Sequence, residues 1–391
     1  MTAPPRPFYE LIVLGAVTPP ELEALRVNLE TVAAEFQLAL GSEIALRTLT
    51  DFADHNREAS ITALYFGGNP QQDAALVDLL EADKVPIVPV VRKGDKAEDV
   101  LPVEIAAINA AFLDPDDLTL SVPFAVALEC LGLLHRQRRI FVSYRRTESR
   151  EAAVQLHDEL SGRGFDVFLD THDIRPGTLF QEMLWHRLVD CDVVVMLDTP
   201  DYFSSKWTSL EIGRSQSKGI QILRLVWPGH EPTRKLGLSD TIQLGAADLT
   251  PQHQLTAAMI NTVARRAERL RSRSIATRQL SLAGRLAMEI KAIGGTIEGI
   301  GAYRAMAIDL PNGTKLHAYP MVGVPTAELL HEIDSKAASA KHGRFPCLVF
   351  DDVGIRPAWR EHLGWLDAKI DGVRALKVNG AGWELMEWDN P

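Results

Sequence analysis

Trp207 and Glu211 stand four residues apart in the stretch KWTSLEIG, directly after a run that reads as a buried strand. On a helix that spacing puts both side chains on one face. An N-cap at Ser204 or Ser205 places Trp207 in the first turn and Glu211 one turn later. A carboxylate beside an indole is partly desolvated and can stabilise positive charge developing on a sugar carbon, as glycosidase carboxylates do for an oxocarbenium-like centre. Arg145 and Arg146, in the stretch SYRR, have the fork geometry that suits a diphosphate. The same Trp and Glu also fit simple packing and solvation of an amphipathic helix, so the pair alone does not decide.

The elements around these residues decide more. From residue 139 the chain alternates strand RIFVSYRR, helix REAAVQLHDELSGRG, strand FDVFLD, helix TLFQEMLWHRLVD, strand DVVVMLD, helix WTSLEIGRSQSKG and strand IQILRLV. Short apolar runs with helices between them form a parallel sheet with crossover helices. In such a sheet ligands bind beyond the carboxyl ends of the strands. SYRR, DTHDIRPG and DTPDYFSSKWTSLE each follow a strand, so one crevice could collect all three. The same alternation runs earlier, from YELIVLG to VPIVPVV, and the two halves look like a diverged tandem repeat. Aligning VPIVPVV on IQILRLV sets Trp207 against Gln72 and Glu211 against Leu76, so the first copy lacks both residues.

The chain has 391 residues, 46% of them hydrophobic, enough for two or three cores. A formal net charge of -11 argues against a broad nucleic-acid surface. Cys130, Cys191 and Cys347 are far apart, which removes a zinc ribbon and a disulfide framework and fits a reducing compartment. The N-terminal MTAPPRPFYELIVLG reads as no export signal, and a cytoplasmic location is expected. The stretch LTLSVPFAVALECLGLL carries Pro123 and Glu129 and reads as a buried or linking helix, not a membrane span.

Residues 251–280 read as a linking helix whose Arg265, Arg266, Arg269, Arg271 and Arg273 form a solvated face. Residues 281–391 read as a small α+β domain. It has a helix, a hairpin turned by Asn312 and Gly313, the strand PCLVF, a helix AWREHLGWLDAKID, and short strands VRALKV and WELMEWD. GGTIEGIG lacks the Lys and Ser or Thr of a phosphate loop and reads as a bend between helix and strand. Asp351 and Asp352 read as a solvated strand end, and Asp367 with Lys369 as helix surface. From residue 275 onward 13 basic and 14 acidic residues balance, with no nucleic-acid footprint.

Three ordered motifs, IFVSYRR, GFDVFLDTHDIRPGTLF and WTSLE, make the segment from about 138 to 250 resemble the Toll/interleukin-receptor (TIR) family, in its NAD-consuming W-x-x-x-E form. The resemblance implies that Glu211 is the catalytic carboxylate, engaging the ribose next to nicotinamide. It implies that Trp207 is the aromatic associated with cyclising members, and that Ser143, Tyr144, Arg145 and Arg146 contact substrate. Phe180 matches an aromatic that stacks on nicotinamide, with a one-residue gap in the alignment. Asp173, Pro176 and Gly177 lie in the loop that gates the site. It further implies NAD+ as substrate with no cofactor or metal, a site assembled between neighbouring TIR domains of a homo-oligomer, and a role in bacterial antiphage defence or signalling.

The expected architecture is therefore α/β. Two flavodoxin-like parallel-sheet domains stand in tandem, a TIR-like or receiver-like pseudodomain at 1–134 and a TIR domain at 135–250. A linking helix (251–280) and an α+β domain (281–391) follow, the flanks being able to sense an activating partner or ligand. The expected function is an NAD+ glycohydrolase giving nicotinamide and ADP-ribose or a cyclic isomer; the alternative is a non-enzymatic TIR–TIR adaptor.

Overall fold

The computed structural model describes residues 7–54, 56, 59–114, 118–169, 180–204, 206–232, 239–340 and 343–388. They form two compact units, residues 1–136 and 137–391, with three five-stranded sheets among them.

In the first unit β1 (Tyr9–Gly15), β2 (Ile44–Arg47), β3 (Ser60–Phe66), β4 (Ile87–Arg92) and β5 (Ala111–Leu113) pair in the order β2-β1-β3-β4-β5, all parallel. The central strands β1 and β3 are buried along their whole length, as expected for a parallel sheet covered on both faces. Helix α1 (Pro19–Glu35) starts at a capping box in which Thr18 accepts from the Glu21 amide and Glu21 reaches back to Thr18. Helices α2 (Ala74–Ala82), α3 (Ala97–Val100) and α4 (Ser121–Cys130) complete the unit. The stretch around Pro123 is thus the largely buried helix α4. No helix among the described residues is long and apolar enough to cross a membrane.

The second sheet contains β6 (Arg138–Ser143), β7 (Phe165–Leu169), β8 (Val193–Asp198), β9 (Gln221–Val226) and β10 (Asp240–Gln243). Its order, read β7-β6-β8-β9-β10, repeats that of the first sheet, second strand, first, third, fourth, fifth. Both sheets therefore change winding direction between their first and third strands, where a crevice opens at the carboxyl ends. In the first unit that place is filled. Gly15 donates its amide to Asp73 Oδ2 at 2.9 Å, Gln72 donates to the Gly15 carbonyl at 2.8 Å, and a Cβ on Gly15 would lie 2.2 Å from the Phe66 carbonyl oxygen.

Side chains of β6 alternate between two cores. Ile140 and Val142, with Tyr144 just past the strand, face one with α5 (Arg146–Ser161) and the long helix α8 (Ala257–Ala292). Phe141 faces the other with α6 (Phe180–Asp190) and α7 (Lys206–Ser217).

Helix α8 departs from the expected boundary at 280. Thr256 caps its start by accepting from the Met259 amide, and it runs unbroken for 36 residues. Ile260, Val263, Ala267 and Leu270 pack on the second sheet, while Leu282, Leu286 and Ile290 pack on the third. Its arginines are not all solvated. Arg271 is 1% exposed and bonds Asp192 at 3.0 Å and Glu268 at 3.0 Å, because this face of the helix lies on the end of β8 rather than in water.

The third sheet is mixed. β11 (Thr296–Ile300), β12 (Met306–Asp309) and β13 (Lys315–Pro320) are antiparallel, and β13, β14 (Phe345–Phe350) and β15 (Arg374–Lys377) are parallel. The Asn312–Gly313 turn joins β12 to β13 as expected, with Gly313 at φ +87°. Helices α9 (Ala327–Ala340) and α10 (Pro357–Asp367) cover one face; α8 and α11 (Ala381–Met386) cover the other. Two expectations change here. GGTIEGIG supplies the edge strand β11, and WELMEWD lies largely in α11 because Ala381, Leu385 and Trp388 recur at helical spacing and bury together against α8 and the sheet. Asp367 bonds the Arg374 guanidinium and the Ala375 amide, a structural cap on the start of β15.

Candidate functional site

At the crevice of the second sheet, β6 delivers Ser143 and the segment after β8 delivers Tyr202. Helix α7 delivers Glu211 from its second turn. Ser143 Oγ donates to Glu211 Oε2 at 2.6 Å and lies 2.5 Å from the Tyr202 hydroxyl. A serine has one hydroxyl hydrogen; since Ser143 gives it to Glu211, Tyr202 must donate to Ser143. The result is a directed chain, Tyr202 to Ser143 to Glu211, ending on the carboxylate. All three are buried, Glu211 at 6% exposure. Burial, and then the negative charge of Glu211, hold the Tyr202 phenol well above its ordinary value of 10, so it stays a donor. Thr208 Oγ1 bonds the Tyr202 carbonyl at 2.7 Å and ties the first turn of α7 to the segment that carries the tyrosine.

A second, polar group rims the crevice. Arg145 precedes α5 as its N-cap residue and reaches Asp201 Oδ2 at 3.0 Å and Glu148 Oε2 at 3.5 Å. Thr199, one residue past β8, donates to Glu148 Oε2 at 2.6 Å. Beneath it Asp198, fully buried at the end of β8, holds Arg224 of β9 with an Nε–Oδ2 distance of 2.7 Å. This pair fixes the strand ends on which the loops stand.

The residues expected from sequence divide accordingly. Ser143 and Glu211 come together, and Arg145 stands at the rim with Arg146 exposed beside it. Tyr144 packs into the opposite core, among the side chains beneath α5 and α8, because successive residues of a strand face opposite ways. Trp207 lies in the first turn of α7 and Phe180 begins α6; their side chains, with Asp173, Pro176 and Gly177, lie outside the described residues. Ser204 donates to the Asp201 carbonyl, in a short turn ahead of α7. Tyr202, Glu148 and Asp201 were not singled out by spacing. Tyr202 and Asp201 sit in the DTPDYFSS stretch that was, but their partners lie on other strands.

Residues 140–259 match the family model described as a TIR domain. The middle of this chain is a TIR domain. No curated protein matches the chain. Among solved structures it aligns with tagatose-6-phosphate ketose/aldose isomerase from Escherichia coli at 14% identity, over 69% of this chain and 82% of that one, with a TM-score of 0.22. It also aligns with the 5-methylthioribose transporter solute binding protein from Thermotoga lettingae at 12% identity, over 69% and 82%, with a TM-score of 0.18. Superpositions this loose carry no argument. The TIR match ends at residue 259, just inside α8, so the family's pattern covers the second sheet and its crevice but neither the first sheet nor the third.

Proposed function

We propose that the TIR domain cleaves the nicotinamide–ribose bond of NAD+, with Glu211 as the catalytic carboxylate. The observation that carries this reading is the position of Glu211. A carboxylate on the helix after β8, at the point where the sheet changes winding direction, is oriented by a hydroxyl from β6. In the proposed step the bond from the ribose C1′ to the pyridinium nitrogen breaks and its electron pair neutralises that nitrogen. The positive charge left on the ribose is stabilised by the Glu211 carboxylate. Water then adds to C1′ and loses a proton, giving nicotinamide, ADP-ribose and a proton; capture by the adenine of the same molecule gives a cyclic isomer instead. Arg145 at the rim suits the diphosphate. The leaving group is already cationic, so the step calls for no metal and no cofactor.

TIR domains commonly self-associate, and assembly is the natural trigger for this one. Glu211 is covered in the isolated chain, so reaction requires α7 or its surroundings to open. The flanking sheets are the parts through which a bacterial defence or signalling input would act. The same burial supports the second reading, an adaptor in which Glu211 only holds α7 to β6.

The deciding experiment measures nicotinamide release from NAD+ by concentrated protein, wild type beside Glu211→Ala, with and without crowding that forces assembly. Release by the wild type, reduced about a hundred- to a thousand-fold in the variant, is expected of a carboxylate that stabilises the transition state. Equal silence from both would leave the adaptor.

A further inference from the structure

A cavity of about 280 Å³ lies within the second unit, between the TIR sheet and the third sheet. Its floor is the carboxyl end of the parallel part of the third sheet. Met321, Val322 and Gly323 follow β13, and Asp351 and Val353 follow β14. Its roof is the end of α7, from Gln216 to Gly219, and one wall is α8. This is the place where open parallel sheets receive ligands, here in a sheet that the TIR crevice does not involve.

The cavity is cationic. Lys218, Arg278 and Arg285 line it against one carboxylate, Asp351. Lys218 Nζ and Arg285 Nη1 both lean on the same oxygen of that carboxylate, Asp351 Oδ2, at 2.9 and 2.8 Å. Arg278 bonds only main-chain carbonyls, those of Cys191 at 2.7 Å and Val189 at 2.5 Å, and no carboxylate hydrogen-bonds it among the described residues. Three positive side chains thus face one carboxylate on the cavity wall, with Asp190 and Asp192 behind Arg278 also acting on its charge. Ser217, Ser281 and Thr277 add hydroxyl donors, while Leu282, Met321 and Val353 give the remaining wall an apolar character.

We infer that this cavity is a binding site for a small phosphomonoester with an apolar body. A phosphate dianion suits the excess of positive side chains on the cavity wall and accepts from guanidinium and hydroxyl donors together. The volume of about 280 Å³ lies just below the usual range of small-molecule sites and suits a compact ligand better than a dinucleotide. The site is therefore distinct in kind from one that takes NAD+. Its occupant would compete with Asp351 for Lys218, the residue directly after α7. Glu211 lies on that same helix about 10 Å earlier, at the rise of an α-helix.

The test is calorimetric titration of the full chain with phenyl phosphate, inorganic phosphate and phenol. Saturable binding of phenyl phosphate is expected, at least ten-fold tighter than of inorganic phosphate, with none of phenol. The double variant Lys218→Gln, Arg285→Gln weakens it at least ten-fold. Ser281→Trp fills the cavity while keeping every charge and abolishes binding; thermal unfolding of both variants verifies that they are folded. Absence of saturable binding to the wild type overturns the assignment. So does binding of phenol equal to that of phenyl phosphate, or binding that survives Ser281→Trp. Binding of inorganic phosphate alone also overturns it, as an adventitious ion only. The readout is independent of NAD+ cleavage, so either idea can fail without the other.

Discussion

Ser143 gives its only hydroxyl hydrogen to Glu211, across 2.6 Å, and so must receive one from Tyr202. Removing the middle member takes one hydrogen-bond partner from each end. Ser143→Ala is expected to cost about 1–3 kcal/mol of stability, since a buried phenol and a buried carboxylate each lose a partner. Tyr202→Phe removes only the outer donor and is expected to cost about 1 kcal/mol. If Glu211 is catalytic, Ser143→Ala also lowers kcat by roughly 10- to 100-fold through misorientation, with Tyr202→Phe much closer to the wild type. Urea unfolding beside nicotinamide release separates the two effects.

Arg145 is shared between Asp201 and Glu148. A substrate diphosphate has to draw it away, and Asp201 holds it at the surface, where such pairs are weak. Asp201→Asn is therefore expected to lower KM for NAD+ by about two- to five-fold, and Arg145→Ala to raise it roughly ten-fold with little change in kcat. Steady-state kinetics on the two variants check both directions; equal KM values in all three proteins would remove Arg145 from the substrate site.

His186 on α6 is buried beside Trp359 of α10, with ring centroids 5.8 Å apart. Burial first, then the positive charges of Arg356, Arg187 and Arg139, push it from 6.5 down to about 4. The folded state thus keeps the ring neutral while the unfolded chain takes up a proton below pH 6.5. Its contribution is whole above that pH, declines as pH falls from 6.5 towards 4, and levels off below. Between pH 8 and pH 5 the loss is about 2 kcal/mol. Urea unfolding at the two pH values, wild type against His186→Phe, should show a slope smaller by that amount in the variant.

Arg271 joins Asp192 and Glu268 in a cluster with almost no exposure. Arg271→Met takes from Asp192 and Glu268 the buried cation they share, leaving Glu268 only the more distant Arg138 at 3.9 Å, and is expected to destabilise the second unit by about 3 kcal/mol. Adding Asp192→Asn and Glu268→Gln removes the two buried negative charges and should recover part of that loss, measurable in a thermal or denaturant series.

The sequence made the strand and helix order legible because apolar runs such as DVVVML and IQILRL are long and the turns between them are polar. It also placed Trp207 and Glu211 on one helix, since that depends on local spacing. What it could not show is anything that depends on which strands are neighbours. Tyr202 meets Ser143 because β6 and β8 are adjacent, and Asp198 meets Arg224 because β8 and β9 are. Tyr144 was read with its neighbour Ser143, yet alternation along β6 sends it to the other core. Arg271 looked solvated because arginines recur around it; only the packing of α8 on the strand ends reveals that this one points inward. WELMEWD looked like a strand from its composition, and the burial of Ala381, Leu385 and Trp388 at helical spacing overrode that.

Helix α8, about 54 Å long at the rise of an α-helix, sets where this protein can be cut. A fragment stopped at residue 259, where the family's pattern ends, keeps the crevice but discards Val263, Ala267 and Leu270, and so uncovers one side of the sheet that holds it. Stopping farther along restores that cover but leaves Leu282, Leu286 and Ile290 as a bare apolar stripe. Neither sheet of the second unit owns the helix, so the two are best expressed, purified and assayed together.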